Sequence, residues 1–168
     1  PQIQAVVASP ISGILGDTDT LEFRVTYDEL LVVTGAPRVG IDVGGSVRYA
    51  DYVSGDGTNE LLFRYTVSSP DNDLDGLALS GSGISLNLGT IQDLSGNDAV
   101  LDFGGLSPNL TSLFVDTIPP DPPTNVQIDS AWVTSMVSPN ITWTNPSADF
   151  SFAEVGIGTS PGSVNVQP

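Results

Sequence analysis

The run Asp71-Asn72-Asp73-Leu74-Asp75-Gly76 sets carboxylates at alternate positions just ahead of a glycine. That spacing can fold a short loop around a hard cation, with oxygen ligands at about 2.3 to 2.6 Å. Its first half matches the start of an EF-hand loop. The twelfth position, where a bidentate Glu belongs, is Ser82, and no helical pattern flanks the run. Asp71, Asp73 and Asp75 are therefore candidate ligands of a sheet-edge calcium loop, set against the plainer reading of a solvated acidic turn, which the Asx residues alone suit. A second acidic set, Asp116 and Asp121 with Asp17 or Asp19, would put calcium at a module junction. Asp93, Asn97 and Asp98 are further oxygen donors, but Asp93-Leu94-Ser95-Gly96-Asn97 suits a turn whose Asp bonds its own backbone.

Other chemistry is thinly supplied. The 168 residues hold 20 acids against Arg24, Arg38, Arg48 and Arg64, with no Lys, His or Cys, for a formal charge of −16. Such a chain repels phosphate backbones and anionic lipid, so neither nucleic acid nor a membrane surface is an expected partner. It lacks the residues for a Ser-His-Asp or Cys-His nucleophile, a Schiff-base or P-loop lysine, and the usual zinc, haem or iron-sulfur sites. A lysine-based isopeptide staple is likewise out of reach. Glycoside hydrolysis by two carboxyl groups survives on residue types alone, but nothing singles out two of the 20 acids. The expectation is no enzyme. Tyr49, Tyr52, Trp132 and Trp143 could stack on a sugar face, although Trp143 reads as a core aromatic. Sequons at Asn109 and Asn140 read as accidental.

The elements that must position these residues are strands. Apolar and polar residues alternate over Thr20 to Tyr27, with Leu21, Phe23, Val25 and Tyr27 on one side. They alternate again over Asn59 to Val67, with Leu61, Phe63, Tyr65 and Val67 on one side. Shorter strands are predicted at Ile3 to Ala8, Leu30 to Thr34, Arg38 to Val43, Val47 to Val53, Leu77 to Ser80, Ile84 to Leu88 and Leu113 to Val115. Gly, Asp and Asn punctuate them, and no helical pattern of the length a βαβ unit needs lies between them. No apolar run reaches the ~20 residues of a membrane helix, and the opening at Pro1 reads as that of an internal or mature piece.

Residues 118–123, Ile118-Pro119-Pro120-Asp121-Pro122-Pro123, carry four prolines in five positions and read as a stiff linker. Residues 1–117 then form one sandwich. Residues 124–168 form part of a second, with strands at Asn125 to Ile128 and Asn140 to Thr144. A short second module would be completed either by further chain or by a strand from another copy, and the second route would make a homo-oligomer.

Several stations occur in order: Gly16-Asp17-Thr18-Asp19-Thr20-Leu21-Glu22-Phe23-Arg24-Val25-Thr26-Tyr27, Val33-Thr34-Gly35-Ala36-Pro37, Ile41-Asp42-Val43-Gly44-Gly45, Leu62-Phe63-Arg64-Tyr65-Thr66-Val67, Ile91-Gln92-Asp93-Leu94-Ser95-Gly96-Asn97 and Val115-Asp116-Thr117. Together they resemble the bacterial Ig-like repeat of large surface adhesins, over residues 1–117. Pro119-Pro120, Ser138-Pro139-Asn140-Ile141-Thr142-Trp143-Thr144 and Gly156-Ile157-Gly158-Thr159-Ser160-Pro161-Gly162 are similar to fibronectin type III or related Ig-like linker modules. The resemblance implies an all-β, Ig-like sandwich followed by a partial one. It implies a stalk or near-tip module of an extracellular adhesin or fibre on a bacterial surface, with neighbouring modules and a host or prey glycan or protein as partners. The alternatives are a carbohydrate- or protein-binding module and an ancillary domain of an exported polysaccharide enzyme.

Overall fold

The computed structural model describes residues 1–128 and 141–144. The chain divides into two units, Pro1–Ile118 and Pro119–Pro168. Among the described residues the fold is all-β, apart from a single 3-10 turn at Gly104–Leu106.

Unit one contains β1 (Ile3–Ser9), β2 (Ser12–Leu15), β3 (Thr20–Tyr27), β4 (Leu31–Thr34), β5 (Arg38–Val43), β6 (Ser46–Ser54), β7 (Glu60–Thr66), β8 (Asn72–Asp73), β9 (Ala78–Ser85), β10 (Thr90–Asp93) and β11 (Ser112–Asp116). Six of them form one sheet in the order β1-β3-β7-β6-β5-β9. The others form a three-stranded sheet, β2-β11-β8, and a pair, β10-β4. Period-two alternation decides which face is buried. Leu21, Phe23 and Val25 on β3 stand opposite Tyr65, Phe63 and Leu61 on β7, and all six are buried. One core cluster joins these to Val39, Ile41 and Ala50 of the large sheet, Leu31 and Ile91 of the pair, and Leu15, Leu113 and Val115 of the three-stranded sheet. The fold is of the sandwich type, with apolar faces turned inward and polar residues outward. Tyr27, also in this core, donates its hydroxyl to the Val100 carbonyl at 2.9 Å, and burial holds its phenol far above the ordinary range.

The two segments expected at Leu77 to Ser80 and Ile84 to Leu88 are a single strand, β9. Against β5 its register advances five residues, Leu79 to Ile84, while β5 advances two, Ile41 to Val39, so the glycine-containing stretch between is a bulge within the strand. Gly83 sits where a Cβ would collide with the Leu101 carbonyl oxygen. Glycine here permits a close backbone approach and a bridge to Asp102.

The chain changes sheets near its start. β1 runs antiparallel to β3. At Pro10, which has no N–H to give a ladder, the chain leaves that sheet and continues as β2. This strand pairs in parallel with β11 through Ser12↔Ser112, Gly13↔Leu113, Ile14↔Phe114 and Leu15↔Val115.

Unit two contains β12 (Thr124–Ile128) and β13 (Ile141–Thr144), an antiparallel pair. Trp143, expected in a core, is 42 % exposed on β13. Trp132 lies outside the described residues, as do residues 138–140 and 156–162 of the motif resemblance.

Candidate functional site

The acidic run 71–76 lies where the chain leaves unit one. β8 pairs with the end of β11 through Asp73↔Val115 and Asn72↔Asp116, and the Thr117 hydroxyl donates to the Asp71 carbonyl oxygen at 2.8 Å. The β2–β3 turn is at the same end, since Ser69 N–H donates to Asp17 Oδ1 at 3.1 Å. So is the β5–β6 turn. Gly44, at a φ of +56° and against the Asn72 carbonyl oxygen, donates its N–H to Asp73 Oδ2 at 2.8 Å.

Asp71 is 2 % exposed, and its charge is met by protein groups. Arg48 Nε donates to Oδ1 at 2.6 Å, a terminal nitrogen of the same guanidinium is also 2.6 Å from Oδ1, and the Tyr65 hydroxyl donates to Oδ2 at 2.6 Å. Burial first, and then the Asp71 carboxylate, push the Tyr65 phenol far above its ordinary range, so it remains a donor. Asp73 is buried as well. Burial pushes its carboxyl up, but the Gly44 and Gly76 N–H groups aimed at it prevail and hold it below the usual value. Its Oδ1 accepts from Gly76 N–H at 2.9 Å and Asp75 N–H at 3.2 Å. This is an Asx turn, in which the side chain replaces a backbone acceptor. Asp75 itself is exposed.

Of the second acidic set, Asp116 Oδ1 accepts from Ile118 N–H at 3.0 Å and Asp19 Oδ2 from Gly16 N–H at 2.8 Å. Asp121 belongs to the other unit. Among the described residues no three acidic side chains converge as a group able to hold a metal ion. Asp93 caps the turn expected of it: Oδ1 accepts from Ser95 and Asn97 N–H, and Oδ2 from the Asn97 side-chain amide at 2.7 Å. The Asn97 amide holds its carboxyl below the ordinary value.

Tyr49 and Tyr52 fall on opposite faces of β6, being an odd number of residues apart. Tyr52 packs edge-on against Phe63, ring centres 5.9 Å apart, while Tyr49 is 39 % exposed on the outer face. Sequence spacing does not single out the arginines. Each of the four is on a different strand, and only the strand order brings three of them together across the large sheet. No family model, curated protein or solved structure matches the chain.

Proposed function

We propose that unit one is a tension-bearing structural module of a multi-module extracellular protein, of the stalk type found in bacterial surface adhesins and fibres. The observation that carries this reading is the path of the chain. Pro1 is held where β3 finishes, its amino group 3.1 Å from Glu29 and its carbonyl oxygen accepting from Val100 N–H at 3.0 Å. Asp116 is held where β3 starts, beside Gly16 and opposite Asn72. The unit is thus entered at one end and left at the other. β3, the eight-residue strand between those two ends, spans roughly 25 Å at about 3.3 Å per residue.

Tension applied through those ends loads the parallel β2–β11 ladder in shear. Its four residue pairs must yield together, because the two strands are pulled along their length in opposite senses. A hairpin opened from one end yields one pair at a time. At the exit end Arg48, Tyr65 and the Gly44 and Gly76 amides fix the 71–76 loop against β11, so that stiffness there is supplied by the chain itself. The motif resemblance of residues 1–117 to adhesin repeats agrees with a place on a bacterial surface, and the role requires no catalysis. Solution scattering from tandem copies of residues 1–118 tests the reading. Maximum dimension should grow by at least roughly 25 Å per copy, and copies that pack side by side would contradict it.

A further inference from the structure

Unit one has an open cleft of about 400 Å³ on its large sheet, lined by Arg38, Arg48 and Arg64, three of the chain's four arginines. It exists because β6 and β7 diverge. They are ladder partners from Asp51↔Arg64 to Ser54↔Leu62, and beyond Arg64 the cleft opens with Val47 and Tyr49 on one side and Thr66 and Ser68 on the other. Its volume is within the range of small-molecule sites.

The three cations are not equivalent. Arg48 is committed to Asp71 and Arg64 to Glu22, whose oxygen is 2.6 Å away. Arg38 has no ion pair among the described residues, even though Asp51 stands directly across the ladder from it. Its guanidinium lies over the Tyr49 ring, 3.6 Å from the ring centre. Its Nε is buried without a hydrogen-bond partner. A guanidinium over an aromatic ring is held there by cation–π attraction, and a planar guanidinium can receive a carboxylate through two parallel hydrogen bonds. The buried Nε is closed to the cleft, so a ligand carboxylate has to be received by the terminal nitrogens, for which no protein carboxylate competes as an ion pair among the described residues.

The rest of the lining sets the class of ligand. Thr66, Ser68 and the Tyr49 phenol bring hydroxyls, and Asp51 brings an exposed acceptor. A bare anion would use only the arginines. A carboxylated sugar uses both sets, its carboxylate on Arg38 and its ring hydroxyls on Asp51, Thr66 and Ser68. We infer that this cleft is a binding site for a carboxylated saccharide, a uronate or sialate residue, with Arg38 as the group that receives the carboxylate. The proposed contacts lie on the large sheet and use neither β2 nor β11, although Arg48 and Tyr65, which also line the cleft, hold Asp71 at the exit end.

The test is a calorimetric and NMR titration of the full 168-residue chain with methyl glucuronoside, with methyl glucoside, acetate and a short acidic peptide as comparisons. The glucuronoside should bind at least tenfold more tightly than acetate, the neutral glycoside should not bind, and the Tyr49 ring and Arg38 Nε resonances should move. Arg38→Gln and Arg38→Lys should each weaken binding tenfold or more while leaving the unfolding midpoint within a few degrees. Should Arg38→Gln unfold the chain, Thr66→Val and Ser68→Ala carry the test, each weakening the glucuronoside but not acetate. No glucuronoside binding up to about 10 mM, or binding indifferent to all of these substitutions, overturns the site. Tighter binding of the acidic peptide overturns the sugar and assigns the cleft to a protein carboxylate.

Discussion

Replacing Asp71 by Ala removes the residue on which the exit end depends, and the size of the loss follows from its partners. The Tyr65 hydroxyl loses a hydrogen bond to a charged acceptor, worth about 1.5 to 3 kcal/mol. Breaking a fully buried ion pair costs about 3 to 5 kcal/mol, whereas an exposed one contributes about 0 to 1. The Asp71 side chain is 1 % exposed but that of Arg48 is 38 % exposed, so water recovers part of the loss, and about 1 to 2 kcal/mol is left for that pair. Together the losses come to about 2.5 to 5 kcal/mol. Tyr65→Phe should cost about 1.5 to 2 kcal/mol, and the double variant should fall short of additivity by about 1 kcal/mol or more, because both lose the same bond. Urea unfolding followed by far-UV circular dichroism, with and without millimolar calcium, reads all three. A loss under about 0.5 kcal/mol for Asp71→Ala, or a loss seen only when calcium is present, would refute the assignment of Asp71 to Arg48 and Tyr65.

Gly83→Ala and Gly81→Ala should behave oppositely. The first drives a Cβ into the Leu101 carbonyl oxygen and the second meets nothing within 4 Å, so denaturant midpoints should show a loss of about 1 to 3 kcal/mol for Gly83 and near neutrality for Gly81. Calcium against excess chelator should shift the thermal midpoint by less than about 2 °C, since a cation binding only the folded state would raise it by mass action and Asp71 and Asp73 already spend their oxygens on protein donors. In acid, Asp73, Asp93 and Asp102 are all held below their ordinary values. The unfolded chain therefore binds protons first, and the stability these groups supply is complete above a pH of about 4 and lost as pH falls through their folded values. Asp93→Asn should make that acid limb shallower in a pH series of unfolding midpoints.

Much of the fold is legible in the sequence because alternation is a local signal. β3 has the bounds its alternation predicts, Thr20–Tyr27, and β5 likewise, Arg38–Val43. What local pattern cannot express is pairing. β2, Ser12–Leu15, has no alternating apolar face, and it is a strand because β11 lies beside it in parallel. The two-residue β8 exists for the same reason. Gly81-Ser82-Gly83 has the composition of a turn, yet Gly83 is in a strand because Asp102 comes close to its backbone. The acidic run is visible as a cluster of oxygens, but its partners are not. Arg48 is 23 residues from Asp71 and Gly44 is 29 from Asp73, and no spacing rule joins residues so far apart. The cleft is hidden for the same reason, since it depends on the divergence of two strands after Arg64.

If unit one bears load between its ends through β2 and β11, its resistance must depend on the direction of pull. Single-molecule pulling on residues 1–118 in two geometries measures that dependence. Handles at residues 1 and 118 load the ladder in shear, whereas handles in the β2–β3 turn near residue 17 and at residue 118 are at one end and peel the two strands apart. The first geometry should give one cooperative unfolding event at a force several times that of the second. Equal forces in both geometries, or gradual yielding from the termini, would contradict a load-bearing ladder.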